Sequence, residues 1–254
     1  MLSRRTLFTL GLSRVAQRVE EQFDAERANP ATAAGPSPAA RVPARPDIPP
    51  PRPSWPHKLG ADLWAPASQA LPRPAGERVL DVDELDFDLA RLPFEDGEFD
   101  VVVSAFAPMF SSDGRAAIAE LFRIARPGGT VAFTIWTPPG IVVELLALAA
   151  EQAPPPPGIP APLDFSSVEY LRHELGGHSD DIELLPQQLT MTFGSREEAV
   201  DRLFAAFRPL AWAPRRPELR RLAAEIIGEP EGGEAGPVEL CATYVMAVAR
   251  RRSA

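Results

Sequence analysis

The chain has 254 residues, 45% of them hydrophobic, enough to bury a substantial core in one or two domains. Its net charge of −9 leaves no overall basic field to recruit a phosphate backbone, which argues against a nucleic-acid partner. A single cysteine, Cys241, excludes an intramolecular disulfide framework and suits a reducing compartment, so a cytoplasmic location is expected. Cys241 lies in an apolar strand pattern and is expected to be a buried, inert thiol.

Residues 1–28 form the first segment. Ser3-Arg4-Arg5-Thr6-Leu7-Phe8 resembles a twin-arginine export signal, but Arg14 and Arg18 interrupt the apolar stretch that export requires. Phe8, Leu12, Val15, Val19 and Phe23 recur at helical spacing, which predicts an amphipathic helix with arginines beside its apolar stripe. Such a helix suits docking on the domain, self-association, contact with an anionic membrane surface or export, and the residues leave these alternatives open. No segment is long enough to span a bilayer. Residues 29–56 are almost all Pro, Ala, Arg and Ser, a composition that makes a semi-rigid extended linker. The folded domain is expected over residues 57–254.

A short helix is predicted over Ala61 to Leu71, ended by Pro72 and Pro74, and a strand over Val79 to Val82. Val101 to Phe106 is a continuous apolar run, as expected for a strand buried on both faces of a parallel sheet. Asp113 is placed to cap a helix with Ile118, Leu121, Phe122 and Ala125 on one face. The Pro127-Gly128-Gly129 turn should stop it before a strand from Thr130 to Thr137. Ile141 to Ala153 reads as an apolar helix, and Ser166-Ser167-Val168-Glu169 as a capping box opening another. Ile182 to Phe193 gives strand material around Pro186. Ser195-Arg196-Glu197-Glu198 opens a helix with Val200, Leu203, Phe204 and Phe207 on one face, a polar helix follows at Pro217 to Ile227, and Val238 to Ala249 closes the chain as a long strand.

Four motifs stand in order: Val79-Leu80-Asp81-Val82, Asp88-Leu89-Ala90-Arg91-Leu92-Pro93-Phe94, Phe99-Asp100-Val101-Val102 and Arg126-Pro127-Gly128-Gly129-Thr130. Together they resemble class I S-adenosylmethionine-dependent methyltransferases, closest to the small-molecule branch that includes ubiquinone and menaquinone biosynthesis enzymes. The resemblance implies an α/β fold, a Rossmann-like sheet with helices on both faces, and S-adenosylmethionine as cofactor. By position it assigns Asp88 to the adenine amino group and Leu89 to the adjoining backbone contact. Ser104 and Ala105 would lie along the methionine part, with Asp81 at the end of the first strand in the same set. Ligands of open α/β sheets sit outside the carboxyl ends of the strands, which agrees with this placement.

The sequence departs from the family's pattern at one place. The family continues its first strand into a glycine-rich loop, a helix and a second strand, whereas here Val82 is followed by Asp83-Glu84-Leu85-Asp86-Phe87-Asp88. Glycines let backbone amides approach a cofactor at a helix amino end, and none stands here. The apolar alternation slips at Asp83-Glu84, which predicts a bulged strand or tight hairpin. A parallel crossover needs a dozen or more residues, so the sheet is expected to be truncated at its nucleotide-binding edge by one or two strands.

The remaining candidates are weaker. Asp81, Asp83, Glu84, Asp86 and Asp88 lack calcium-loop spacing and read as mutually repelling carboxylates on a solvated loop; no residues have metal-site spacing. His173 suits a surface position, with general base toward an acceptor hydroxyl as the alternative. Trp136 and Trp212 suit either an acceptor pocket or aromatic core packing. The arginines at 215, 216, 220 and 221 read as a solvated helix face, and Arg250 to Arg252 as a charged tail. If the resemblance carries activity, the chain moves the sulfonium methyl group to an O, N or C nucleophile on a small-molecule acceptor, an in-line displacement dominated by positioning. The alternative is a non-catalytic binding or partner subunit, pairing through its exposed sheet edge with another copy or a different chain.

Overall fold

The computed structural model describes residues 62–85, 88–111, 113–152, 164–206, 216–230 and 236–253. The expected helix at 1–28, the linker at 29–56, the start of the domain and Trp212 lie outside them. In chain order the elements are α1 (Ala65–Gln69), β1 (Val79–Asp81), β2 (Phe99–Ala105), α2 (Gly114–Ile124), β3 (Ala125–Thr137) and α3 (Ile141–Gln152). They continue with α4 (Val168–Gly176), β4 (Asp181–Phe193), α5 (Arg196–Ala206), α6 (Arg216–Ile227) and β5 (Val238–Arg250). Helix α1 is shorter than predicted, with Ala67 its buried residue and Leu63 and Leu71 buried on either side of it.

The strands form one five-stranded sheet in the order β1-β2-β3-β5-β4. β1, β2 and β3 run parallel, while β5 is antiparallel to both β3 and β4. β2 and β3 bury every residue from Val101 to Ala105 and from Val131 to Thr137, so both faces of the sheet are covered there. Helices α2 and α4 pack together, and α3, α5 and α6 form a second group. The sheet is thus a Rossmann-like α/β sheet with helices on both faces. Pro186 is accommodated because β4 is the far edge strand, where a missing N–H breaks no inner ladder.

β1 is the other edge, and it is 3 residues long. The chain does not bulge or turn into a hairpin after it. Val82–Glu84 forms a single 3-10 turn, capped by Asp81, whose Oδ1 accepts from the amide of Asp83 at 3.1 Å. That cap ends the strand and shifts the apolar phase, the same slip that reads as a bulge in one dimension.

The Arg-Pro-Gly-Gly stretch also differs from expectation. β3 begins at Ala125, directly after α2, and the register to β2 shifts between Phe99/Ala125 and Val101/Thr130. The extra residues form a bulge. Gly128 sits at φ +71°, and a Cβ on Gly129 would stand 2.8 Å from the Arg126 carbonyl oxygen and 2.9 Å from that of Asp100. Arg251 closes it: its amide donates to the Gly129 carbonyl, and its guanidinium to the carbonyls of Arg123 and Ala125 at 2.7 and 2.5 Å. Arg252 binds Asp180 at 2.7 Å, so Arg251 and Arg252 are structural ties rather than a solvated tail.

Two further expectations are corrected. Cys241 is exposed, because Leu240 and Ala242 point into the core and the alternate residues Glu239 and Cys241 project from the uncovered face of β5. The cap of α4 is Ser167, one residue later than the predicted box, with its Oγ accepting from the Tyr170 amide at 3.2 Å. Asp113 caps α2 as predicted, accepting from the Ala116 amide at 3.1 Å.

The link from β1 to β2 brings no helix of its own, so its polar backbone groups are satisfied from α2. The Arg123 guanidinium donates to the carbonyls of Leu92 and Phe94 at 3.1 and 2.8 Å and to Asp96 at 2.7 Å. Glu120, 8% exposed, accepts from Arg123 at 2.7 Å and from the Leu92 amide at 2.8 Å. These contacts hold the Arg123 pKa above its ordinary value. Arg123→Ala leaves Glu120 without its cation and frees two carbonyls, an expected loss of roughly 2–4 kcal/mol in urea unfolding. Arg123→Lys should recover only part of it, because an ammonium cannot span the fork of acceptors.

Candidate functional site

The carboxyl ends of β1 and β2 bring Asp81, Asp83, Ser104 and Ala105 together. Asp83 was expected on a solvated loop; instead its carboxyl group is enclosed at this end of the sheet. Its Oδ1 accepts from the Ser104 hydroxyl at 2.7 Å and its Oδ2 from the Ala105 amide. The register explains why. Asp81, the last residue of β1, pairs with Val103, so the Ala105 amide lies one pleat beyond the end of β1 and lacks a strand acceptor on that side. Asp83 supplies it. Burial, with repulsion from Asp81, pushes the Asp83 carboxyl up to about 7; the Ala105 and Ser104 hydrogen bonds and Arg73 oppose that rise.

Asp81 is also engaged. Its second oxygen meets the Arg73 guanidinium at 2.5 Å while the first caps the 3-10 turn. Asp88 sits in a separate turn, where its Oδ1 accepts from the Ala90 amide at 3.1 Å. Leu89 is buried, its side chain part of the core.

Beyond Ala105 lies Phe106, at φ 68° and ψ −9°, the one non-glycine residue with positive φ among the described residues. An aromatic residue in the left-handed region pays about 1–2 kcal/mol. Its ring, 2% exposed, stacks on Trp136 with centroids 3.8 Å apart and planes 2° from parallel. Tyr244 and Trp64 meet it edge-on at 5.6 and 6.3 Å. Burying the ring is worth about 2–3 kcal/mol and the stacking about 1 more, so packing outweighs the backbone cost. Trp136 is therefore core packing, and its indole Nε1 is buried with no hydrogen-bond partner.

Two other groups complete the picture. Glu144, in the first turn of α3 after the carboxyl end of β3, is half-buried and pushed up to about 7 by burial. His173 is 82% exposed on α4, the predicted surface position. Among the described residues there is no cluster of metal-ligating side chains, and no helix is long and apolar enough to cross a membrane.

The structure brings the expected residues Asp81, Ser104 and Ala105 to one end of the sheet, and sequence reasoning missed the contacts of Asp83 and Phe106. Asp83 carried one signal, a carboxylate two residues past a strand that ends early. Phe106 carried none, since a left-handed backbone at an aromatic residue follows from packing alone.

Residues 56–133 match the model of a methyltransferase domain. An uncharacterized protein of Mycobacterium tuberculosis is 37% identical over 89 residues, 35% of this chain and 32% of that protein. A demethylmenaquinone methyltransferase of Thermus thermophilus is 38% identical over 81 residues, 32% of this chain and 37% of the enzyme. The chain thus spans about a third of the length of these two relatives. The solved YcgJ protein of Bacillus subtilis, 16% identical, covers 65% of this chain and 69% of its own with a TM-score of 0.39. The family model and the identity to a demethylmenaquinone methyltransferase show that residues 56–133 are similar to a methyltransferase domain.

The residues present do not fit the cofactor in the manner the resemblance implies. The Ser104 hydroxyl and Ala105 amide, expected along its methionine part, are already bound to Asp83, and Asp81 is bound to Arg73 and the turn.

The Asp83 pKa has a measurable consequence. A carboxyl that titrates at about 3.9 unfolded and about 7 folded is held protonated by the fold between those values. Stability is therefore greatest at the acid end of that window and falls as pH rises through about 7; Glu144 adds a second fall in the same direction. Asp83→Asn should shrink the loss in thermal midpoint between about pH 5 and pH 8 and stabilise the protein at the upper pH by on the order of 1–3 kcal/mol. An unchanged pH profile would contradict the enclosed carboxyl.

Proposed function

We propose that this chain works as a non-catalytic binding or partner subunit rather than by turning over S-adenosylmethionine. The observation that carries this reading is the Asp83 carboxylate seated on the Ser104 hydroxyl and the Ala105 amide. An incoming ligand must displace a carboxyl group already held by two hydrogen bonds, each worth about 0.5–1.5 kcal/mol. Among the described residues β1 is an edge strand, which supports it further, since such a strand offers backbone groups to another chain, whether a second copy or a different protein.

Methyl transfer to a small-molecule acceptor is the second reading, favoured by the similarity to a demethylmenaquinone methyltransferase. In that case S-adenosylmethionine is the cofactor, bound through Asp88 as the family resemblance implies, with Asp83 moved aside. Isothermal titration of the full chain with S-adenosylmethionine separates the two. The partner-subunit reading expects no saturable heat up to about 1 mM ligand. Micromolar binding that weakens at least about tenfold on Asp88→Ala would replace it with the enzyme.

A further inference from the structure

The Ser104 hydroxyl and the Ala105 amide are donors on successive residues, and one carboxyl group takes both. Asp83 Oδ1 accepts from Ser104 at 2.7 Å, and Oδ2 accepts from the Ala105 amide. Ser104 is fully buried, and Asp83 is the partner of its hydroxyl.

Parallel pairing steps two residues at a time. The Arg78 carbonyl accepts from the Val101 amide at 3.3 Å, and the same ladder carried onward would bring the Val82 carbonyl to the Ala105 amide. Val82 instead gives its carbonyl to the Leu85 amide at 3.1 Å. The chain thus withdraws a backbone acceptor from Ala105 and puts a side-chain carboxyl in its place. The two donors together meet two oxygens held on one carbon, the shape of a carboxylate rather than of a single carbonyl. They stand at the carboxyl ends of parallel strands, where open α/β sheets take their ligands.

We propose that Ser104 and Ala105 form a binding subsite for a carboxylate and that Asp83 is its plug, filling it from within the chain and shutting out small molecules that carry a carboxyl group. This deepens the partner-subunit reading and rests on its account of Asp83: it names the chemical class that the site turns away.

Asp83 is tethered beside the donors, so it competes at an effective concentration far above that of a free carboxylate. The native protein is therefore closed to simple carboxylates, and removing the Asp83 carboxyl opens the subsite. Arg73 favours an anion there, while burial and Asp81 oppose it. Two hydrogen bonds against that opposition give weak binding, with half-saturation on the order of 10–100 mM.

Formate, the fragment that Asp83→Ala deletes, is the probe, compared with chloride at equal ionic strength in the full chain. Thermal midpoint and the NMR shift of the Ala105 amide are followed together. Asp83→Ala should gain about 2–4 °C from roughly 200 mM formate over chloride, with a saturating shift at Ala105. Native protein and Asp83→Asn, which keeps the site filled, should show neither. Adding Ser104→Ala to Asp83→Ala should weaken half-saturation at least about threefold. If Asp83→Ala does not fold in chloride, formate should restore its fold, so the comparison decides in either case. An Asp83→Ala variant that responds alike to formate and chloride overturns the plug and leaves the partner-subunit reading untouched. A native Ala105 amide that follows formate as strongly as the variant's also overturns it. Uptake of S-adenosylmethionine by the native protein overturns the partner-subunit reading, and formate rescue of the variant beside it leaves the plug standing.

Discussion

The fork of Arg123 is the contact on which the parallel half of the sheet depends. Two parallel strands need a crossing connection, and the one between β1 and β2 carries no helix to satisfy its own backbone. Arg123 and Glu120 on α2 take over that task, reading the carbonyls of Leu92 and Phe94 and the amide of Leu92. The Leu-Pro-Phe-Glu-Asp-Gly motif is thereby a docking strip for α2. At the same amino end of the strands, Asp100 binds Arg78 and Arg126 at 3.1 and 2.6 Å, which holds its carboxyl well below the usual range. Arg251 adds the last tie, capping the carbonyls at the α2 terminus. Cations at a helix carboxyl end are favourable there for the same electrostatic reason.

With the amino ends of the strands clamped in this way, the carboxyl ends are where the chain retains freedom to vary. β1 stops early, leaving the Ala105 amide without a strand partner, and the first carboxylate past the stop fills the place. Phe106 then fills the next one. Two groups that the family resemblance assigns to a small molecule, the Ser104 hydroxyl and the Ala105 amide, are bound by a side chain of the protein itself. The same geometry that completes the hydrogen bonding of a shortened sheet therefore decides how a ligand reaches it.

Most of the fold was legible because its signals are local. The apolar run at Val101, the Asp113 cap and the long closing strand each depend on residues within a few positions of one another, and each formed where expected. The readings that changed depended on neighbours far along the chain. Cys241 has the alternation of a buried residue but sits where β5 has no cover on one face. Arg251 has the composition of a tail but finds carbonyls at Arg123 and Ala125. The Asp83-Glu84 phase slip was visible, yet a bulge, a hairpin and a capped 3-10 turn share that one-dimensional mark.

The sequence by itself carried the methyltransferase resemblance, through the order of four motifs, and the order of strands and helices through periodicity and caps. It also determined that no glycine follows the first strand. Only the tertiary structure decided what takes the place of those glycines. The reason is physical: the environment of a carboxylate is set by the strand end opposite it, and the pairing of Asp81 with Val103 is what brings Asp83 to the Ala105 amide. The left-handed turn of Phe106 was decided in the same way, by Trp136, Tyr244 and Trp64 arriving from other parts of the chain to surround its ring.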